Sequence, residues 1–106
     1  MPSIFSADNL PYSLEFEIWG LHHGPEVCEL TLQKAKSLRL RGYVTEKYRF
    51  GITGEMQGFA GPLIQMKRWL LEGPGEYYKV SKAIFKNSRK IDDFEYKRFK
   101  YKPNYY

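Results

Sequence analysis

One cysteine, Cys28, stands in 106 residues, so no internal disulfide can form. There are only two histidines, His22 and His23, which leaves little material for a closed zinc site. No apolar run approaches the roughly 18 residues that a membrane helix needs, and Met1 to Tyr12 carries neither a basic nor a greasy stretch. Those absences argue against a secreted disulfide scaffold and a helical membrane protein, and lead us to expect a cytoplasmic chain without membrane association. What the sequence does have is apolar mass: hydrophobic residues are 42% and aromatics 17% of the total. That is enough to fill one core, and the length fits one domain, expected as a monomer.

Charge is unevenly placed. The formal net charge is +5, yet residues 78–106 hold nine of the 17 Lys and Arg and three of the 12 acids, a net +6. The first 77 residues therefore sit at −1. Two readings follow: a solvated sheet edge and tail blunted by lysine, or a surface for a polyanion or protein partner. Tyr77, Tyr78, Phe94, Tyr96, Phe99, Tyr101, Tyr105 and Tyr106 interleave with these bases, a combination that suits single-stranded nucleic acid. Against that reading, Arg49-Phe50-Gly51-Ile52 only faintly echoes an RNA-binding strand, and the aromatic pair needed on the first strand is missing.

Residues 1–12 show no periodicity and read as a flexible leader, 13–102 as the domain and 103–106 as a short tail. Ser13 to Gly20 alternates Leu14, Phe16 and Ile18 against polar neighbours, which predicts a half-buried strand. From Pro25 to Leu40, Val27, Leu30, Leu32, Ala35 and Leu38 predict a helix, with Leu30 assigned to the core. Tyr43 to Tyr48 and Gly51 to Gln57 read as a hairpin turning at Arg49 and Phe50. Pro62 opens a second helix that ends at Gly73, with Leu63, Ile64, Met66, Trp69 and Leu70 giving its apolar face. Tyr78 to Phe85 reads as a fourth strand, Lys86 to Asp93 as a turn, and Phe94 to Tyr101 as a last strand. The order matches an α+β ferredoxin-like sandwich, βαββαβ plus a final strand, with an antiparallel sheet and both helices on one face.

The segment Glu15-Phe16-Glu17-Ile18-Trp19-Gly20, followed by Leu21-His22-His23-Gly24-Pro25-Glu26-Val27-Cys28, resembles the acylphosphatase signature. Gly42-Tyr43-Val44 is similar to that family's Gly-Trp-Val, and Thr53-Gly54-Glu55-Met56-Gln57-Gly58 to its Gly-x-x-Gln-Gly strand end. Met66-Lys67-Arg68-Trp69-Leu70 fits its second helix, and Phe94-Glu95-Tyr96 with Phe99 its last strand.

The resemblance implies hydrolysis of an acyl phosphate to carboxylate and phosphate. The loop Leu21, His22, His23, Gly24, Pro25, Glu26 and Val27 would wrap the phosphate with its backbone N–H groups. An arginine would clamp its oxygens, and an asparagine would position the water. The arginine position falls on Cys28 and the asparagine position on Glu46, so neither catalytic side chain is present. Pro25 removes one N–H donor, and Glu26 adds a carboxylate beside the cradle. The resemblance thus leads to an acylphosphatase-like pseudoenzyme with catalysis lost or much weakened, or one with residual activity. Any substrate would be an acyl phosphate or a similar anion, and no cofactor or metal is called for. Lys47, Arg49, Arg39 and Arg41 read either as surface residues or as cations that could stand in for the arginine. Cys28 reads either as a passive half-buried thiol or as a nucleophile tuned by His22 and His23. The set His22, His23, Glu26 and Cys28 has zinc-ligand types but no standard spacing.

Overall fold

The computed structural model describes residues 10–20, 24–47, 51–73 and 79–103. Seven elements follow one another: β1 Tyr12–Trp19, α1 Gly24–Ser37, β2 Arg41–Lys47, β3 Gly51–Gly58, α2 Ala60–Glu72, β4 Lys82–Lys90 and β5 Phe99–Tyr101. The five strands form one sheet in the order β4-β1-β3-β2-β5. The first four strands pair antiparallel, as expected for the ferredoxin-like sandwich. The added strand β5 instead runs parallel to β2, with Val44 opposite Tyr101, so the sheet is mixed. No helix among the described residues is long and apolar enough to cross a membrane.

Alternation decides the two faces of the sheet. Phe16, Ile18, Val44, Ile52, Met56 and Phe99 turn inward and meet Val27, Cys28 and Ala35 of α1 and Leu63, Met66 and Leu70 of α2. Both helices cover this face. Glu15, Glu17, Tyr43, Thr53 and Glu55 project from the other. Helix α1 rolls differently from its expected phase: Cys28 and Thr31 are fully buried, while Leu30 is half-exposed and outside the core cluster. Thr31 can be buried because its hydroxyl donates to the Val27 carbonyl at 2.8 Å. Trp69 lies at the core's margin, half-buried, and Ile64, expected on the apolar face of α2, instead points to solvent because the inward stripe is Leu63, Met66 and Leu70.

Several boundaries move for local reasons. Helix α1 stops at Ser37 rather than Leu40, because Arg39 adopts φ 59° and lets the Leu40 N–H close back on the Ala35 carbonyl at 2.9 Å. Helix α2 begins at Ala60, two residues before Pro62, whose missing N–H falls among first-turn groups that lack helical partners anyway. Strand β4 runs Lys82–Lys90, so the turn expected at Lys86 to Asp93 is strand over its first five residues. Its pairing with β1 continues to Lys90 opposite Tyr12. The start expected at Tyr78 lies outside the described residues.

The strand expected over Phe94 to Tyr101 is only Phe99–Tyr101. The chain must travel from β4 at one sheet edge to β5 at the other, and residues 91–98 make that crossing over the open face. There the Phe94 ring meets Phe59 edge-on at 6.0 Å and lies under the Arg41 guanidinium at 4.1 Å. The Tyr96 hydroxyl donates to Glu55 at 2.7 Å, and the Glu95 N–H donates to Gln57 at 2.8 Å.

Candidate functional site

The candidate cradle lies where β1 hands over to α1. Gly20 ends the strand at φ 99°, a conformation that favours glycine, and a Cβ there would press on the Ser81 backbone nitrogen. The Ser81 N–H also donates to the Trp19 carbonyl at 2.9 Å, so β4 fixes the exit of β1. Of the seven expected loop residues, Leu21, His22 and His23 lie outside the described residues. Gly24 and Pro25 already belong to the first turn of α1, where unpaired N–H groups face the loop, and Pro25 contributes none. Glu26 is exposed in that turn. Its carboxylate suits the positive helix end, and so occupies electrostatically the place an anionic ligand would take. Val27 points into the core, fully buried.

Cys28 and Glu46 are brought together although 18 positions separate them. Cys28 has 0% exposure. Burial first, then the carboxylates of Glu46 and Glu29, push its thiol up to about 12. A thiol held protonated and sealed from solvent is a poor nucleophile, which favours the passive reading of Cys28. Glu46 accepts a hydrogen bond from the Tyr101 hydroxyl, and burial and that carboxylate raise the tyrosine well above its usual range. Tyr101 and Glu29 were not among the expected site residues. Only the parallel pairing of β5 with β2 brings Tyr101 to Glu46, and no local pattern announces a contact across 55 positions.

The candidate replacement cations are elsewhere. Lys47 follows Glu46 on the same strand and so emerges on the opposite face. There its ammonium pairs with Glu17 at 3.1 Å, and the Trp19 indole N–H donates to the same carboxylate at 3.1 Å. The Trp19 hydrogen bond and then Lys47 hold Glu17 below the usual carboxylate range. Arg41 opens β2, five residues and roughly 16 Å of strand from Glu46. Arg39 lies farther back still, and Arg49 is outside the described residues. Among the described residues no three His, Cys, Asp or Glu side chains converge as a metal site.

The basic C-terminal third is divided between the two edges of the sheet. Lys82, Lys86, Arg89 and Lys90 belong to β4, while Arg98, Lys100 and Lys102 belong to β5 and its flanks, with three strands between. The central strands of the open face carry Glu15, Glu17 and Glu55.

No described protein-family profile matches the chain. Individual proteins do. Acylphosphatase-1 of Drosophila melanogaster is 31% identical over 93 residues, covering 88% of this chain and 78% of that protein. Acylphosphatase-1 of Xenopus tropicalis is 28% identical over 93 residues, covering 88% and 95%. Among solved structures, an acylphosphatase from Coxiella burnetii superposes with a TM-score of 0.75 at 21% identity, covering 89% of this chain and 95% of that one. The acylphosphatase of Bacillus subtilis gives 0.71 at 15%, covering 85% and 97%. With a relative above 30% identity along most of both chains, and the same fold in the solved acylphosphatases, this chain belongs to the acylphosphatase family.

Proposed function

We propose that this chain keeps the acylphosphatase framework while its capacity to hydrolyse acyl phosphates is lost or much weakened, and that it serves as a binding or interaction module. The observation that carries this reading is the buried, protonated Cys28 beside the Glu46 carboxylate, where the family chemistry calls for a cation and a neutral amide. A dianionic phosphate entering the junction would meet Glu26 at the helix start and the Glu46 charge beyond it. Coulomb repulsion would oppose binding before any chemistry began. Losing one preorganised transition-state donor costs about 10²–10³ in rate, and two are replaced here, though such losses do not simply add. We therefore expect turnover near the uncatalysed rate.

Neither sheet edge alone gathers all the basic charge, and Glu15, Glu17 and Glu55 occupy the central strands where bases would stack. That distribution disfavours a nucleic-acid role for the open face.

The test is hydrolysis of benzoyl phosphate by the natural chain beside a variant carrying Cys28→Arg and Glu46→Asn. A further version adds Pro25→Ala and Glu26→Gln, and thermal melting verifies folding of each. The expected result is an inert natural chain and measurable turnover once the clamp and amide are restored. Turnover by the natural chain that the changes hardly improve would refute the loss of catalysis.

A further inference from the structure

The two helices are not equally covered. Among the described residues, the exposed large hydrophobics are Phe59, Ile64 and Leu71, and all three belong to α2 or its N-cap. Ile64 and Leu71, seven positions apart, share one stripe and are 57% and 51% exposed. Beside that stripe a groove of about 310 Å³ opens between α2 and β4, lined chiefly by Tyr12, Leu14, Leu63, Ile64, Lys67 and Phe85. Among the described residues, strand β4 has a strand neighbour on one side only. The sheet is thus one strand too narrow to cover the apolar stripe above its edge.

Charge identifies what fits there. Residues 79–90 contain five bases and no acid. Of these, Arg89 pairs with Glu55 and Glu95 on the open face. Lys67 overhangs the Phe85 ring at 5.2 Å and Lys90 the Tyr12 ring at 5.8 Å, so cations flank the groove. Two copies of this edge brought together would oppose lysine to lysine, which disfavours self-pairing. The same lysines attract carboxylates. Asn87 adopts φ 55° and the register with β1 shifts nearby, so the regular part of the edge is Lys82 to Lys86.

We propose that the Lys82–Lys86 edge of β4 is a docking strip for an extended, acidic segment of a partner protein, which adds a sixth strand. Alternate apolar side chains of that segment enter the groove beneath Ile64 and Leu71. Its carboxylates face Lys82 and Lys86 on the open side, and its backbone completes the ladder. This site is separate from the Cys28–Glu46 junction and does not depend on whether hydrolysis survives.

A ten-residue peptide alternating valine and glutamate, titrated into the isotopically labelled full chain, tests the proposal by amide shifts and amide exchange. We expect shifts and slowed exchange confined to Lys82–Lys86 with accompanying shifts at Ile64, and binding that weakens with added salt. Lys82→Gln with Lys86→Gln should weaken binding severalfold while the chain stays folded by its far-UV spectrum and cooperative melting; neutral replacements are used because Lys86 lies opposite Glu15 and a carboxylate there would add like-charge repulsion. The proposal is overturned by no shifts at millimolar peptide, by equal binding of the valine-lysine counterpart, by shifts centred on β5, or by self-association of the chain through β4 in sedimentation.

Discussion

The sealed thiol makes a prediction whose sign can be worked out. An unfolded cysteine ionises near about 8.5, whereas burial beside Glu46 and Glu29 holds Cys28 up to about 12 in the folded chain. Below about pH 8.5 both states keep the proton, so the thiol's stabilising contribution is fully present. Above it the unfolded chain releases a proton that the native chain retains, and stability falls as pH rises. At pH 10.5 the unfolded thiol is about two units past its midpoint, so the native state loses on the order of 2–3 kcal/mol relative to pH 7. Cys28→Ala removes this dependence and leaves every tyrosine and lysine in place. At pH 7 the variant should be less stable by about 1 kcal/mol through a small cavity. By pH 10.5 the order should reverse, the variant becoming the more stable by roughly 1–2 kcal/mol. Urea unfolding followed by tryptophan fluorescence at both pH values measures the difference. If it stays constant within about 0.5 kcal/mol, Cys28 is not held protonated by its surroundings and the account of the junction fails.

Two further perturbations probe the scaffold. Gly42 adopts φ 137°, and a Cβ there would overlap the Glu55 carbonyl of the neighbouring strand. Gly42→Ala should therefore cost about 3 kcal/mol or more, read as a large drop in melting temperature, and a loss below about 1 kcal/mol would contradict that packing. Glu55 accepts from Tyr96 at 2.7 Å and from Ser13 at 2.5 Å on the open face. Glu55→Gln should speed amide exchange across residues 94–98 about tenfold without changing the far-UV spectrum. Unchanged exchange would mean that Arg41 on Phe94 and Tyr43 against Tyr96 hold the crossing by themselves.

Where the sequence was legible, one face of an element was buried and the other was wet. Strand β1 announces itself because Leu14, Phe16 and Ile18 alternate with polar residues and only the first set meets the core. The second half of β4 gave no such signal. It lies at the sheet edge with both faces largely exposed, so Lys86 to Lys90 need no alternation and read as a turn. Phe94 and Tyr96 suggested a strand, but their alternation falls out of step with Phe99 and Tyr101. The mismatch marks the change from a segment crossing the open face to a strand turned toward the core. Helix α1 misled through its phase: leucines attracted the prediction, while Cys28 and Thr31, small enough to lie close to the sheet, took the buried positions. At the junction, the motif singles out Cys28 and Glu46, and the structure sets those two side chains near one another. Tyr101 and Glu29 were not readable from it, because their roles exist only after β5 pairs with β2.

That pairing also bears on how the junction would respond to repair. A working anion cradle keeps a guanidinium and backbone donors ready for a ligand, which leaves polar groups waiting for partners in the ligand's absence. On the proposed reading, this junction has instead turned those positions over to the fold: Cys28 is part of the core, and Glu46 is engaged by Tyr101. An arginine restored at position 28 alone would therefore find Glu46 within electrostatic reach and pair with it before any phosphate arrived. Such a partly buried ion pair would consume the positive charge that the phosphate needs. Changing Glu46 alone leaves the thiol uncharged and supplies no clamp. The two replacements thus lock each other in place, and recovery of hydrolysis should require both reversions together rather than half from each.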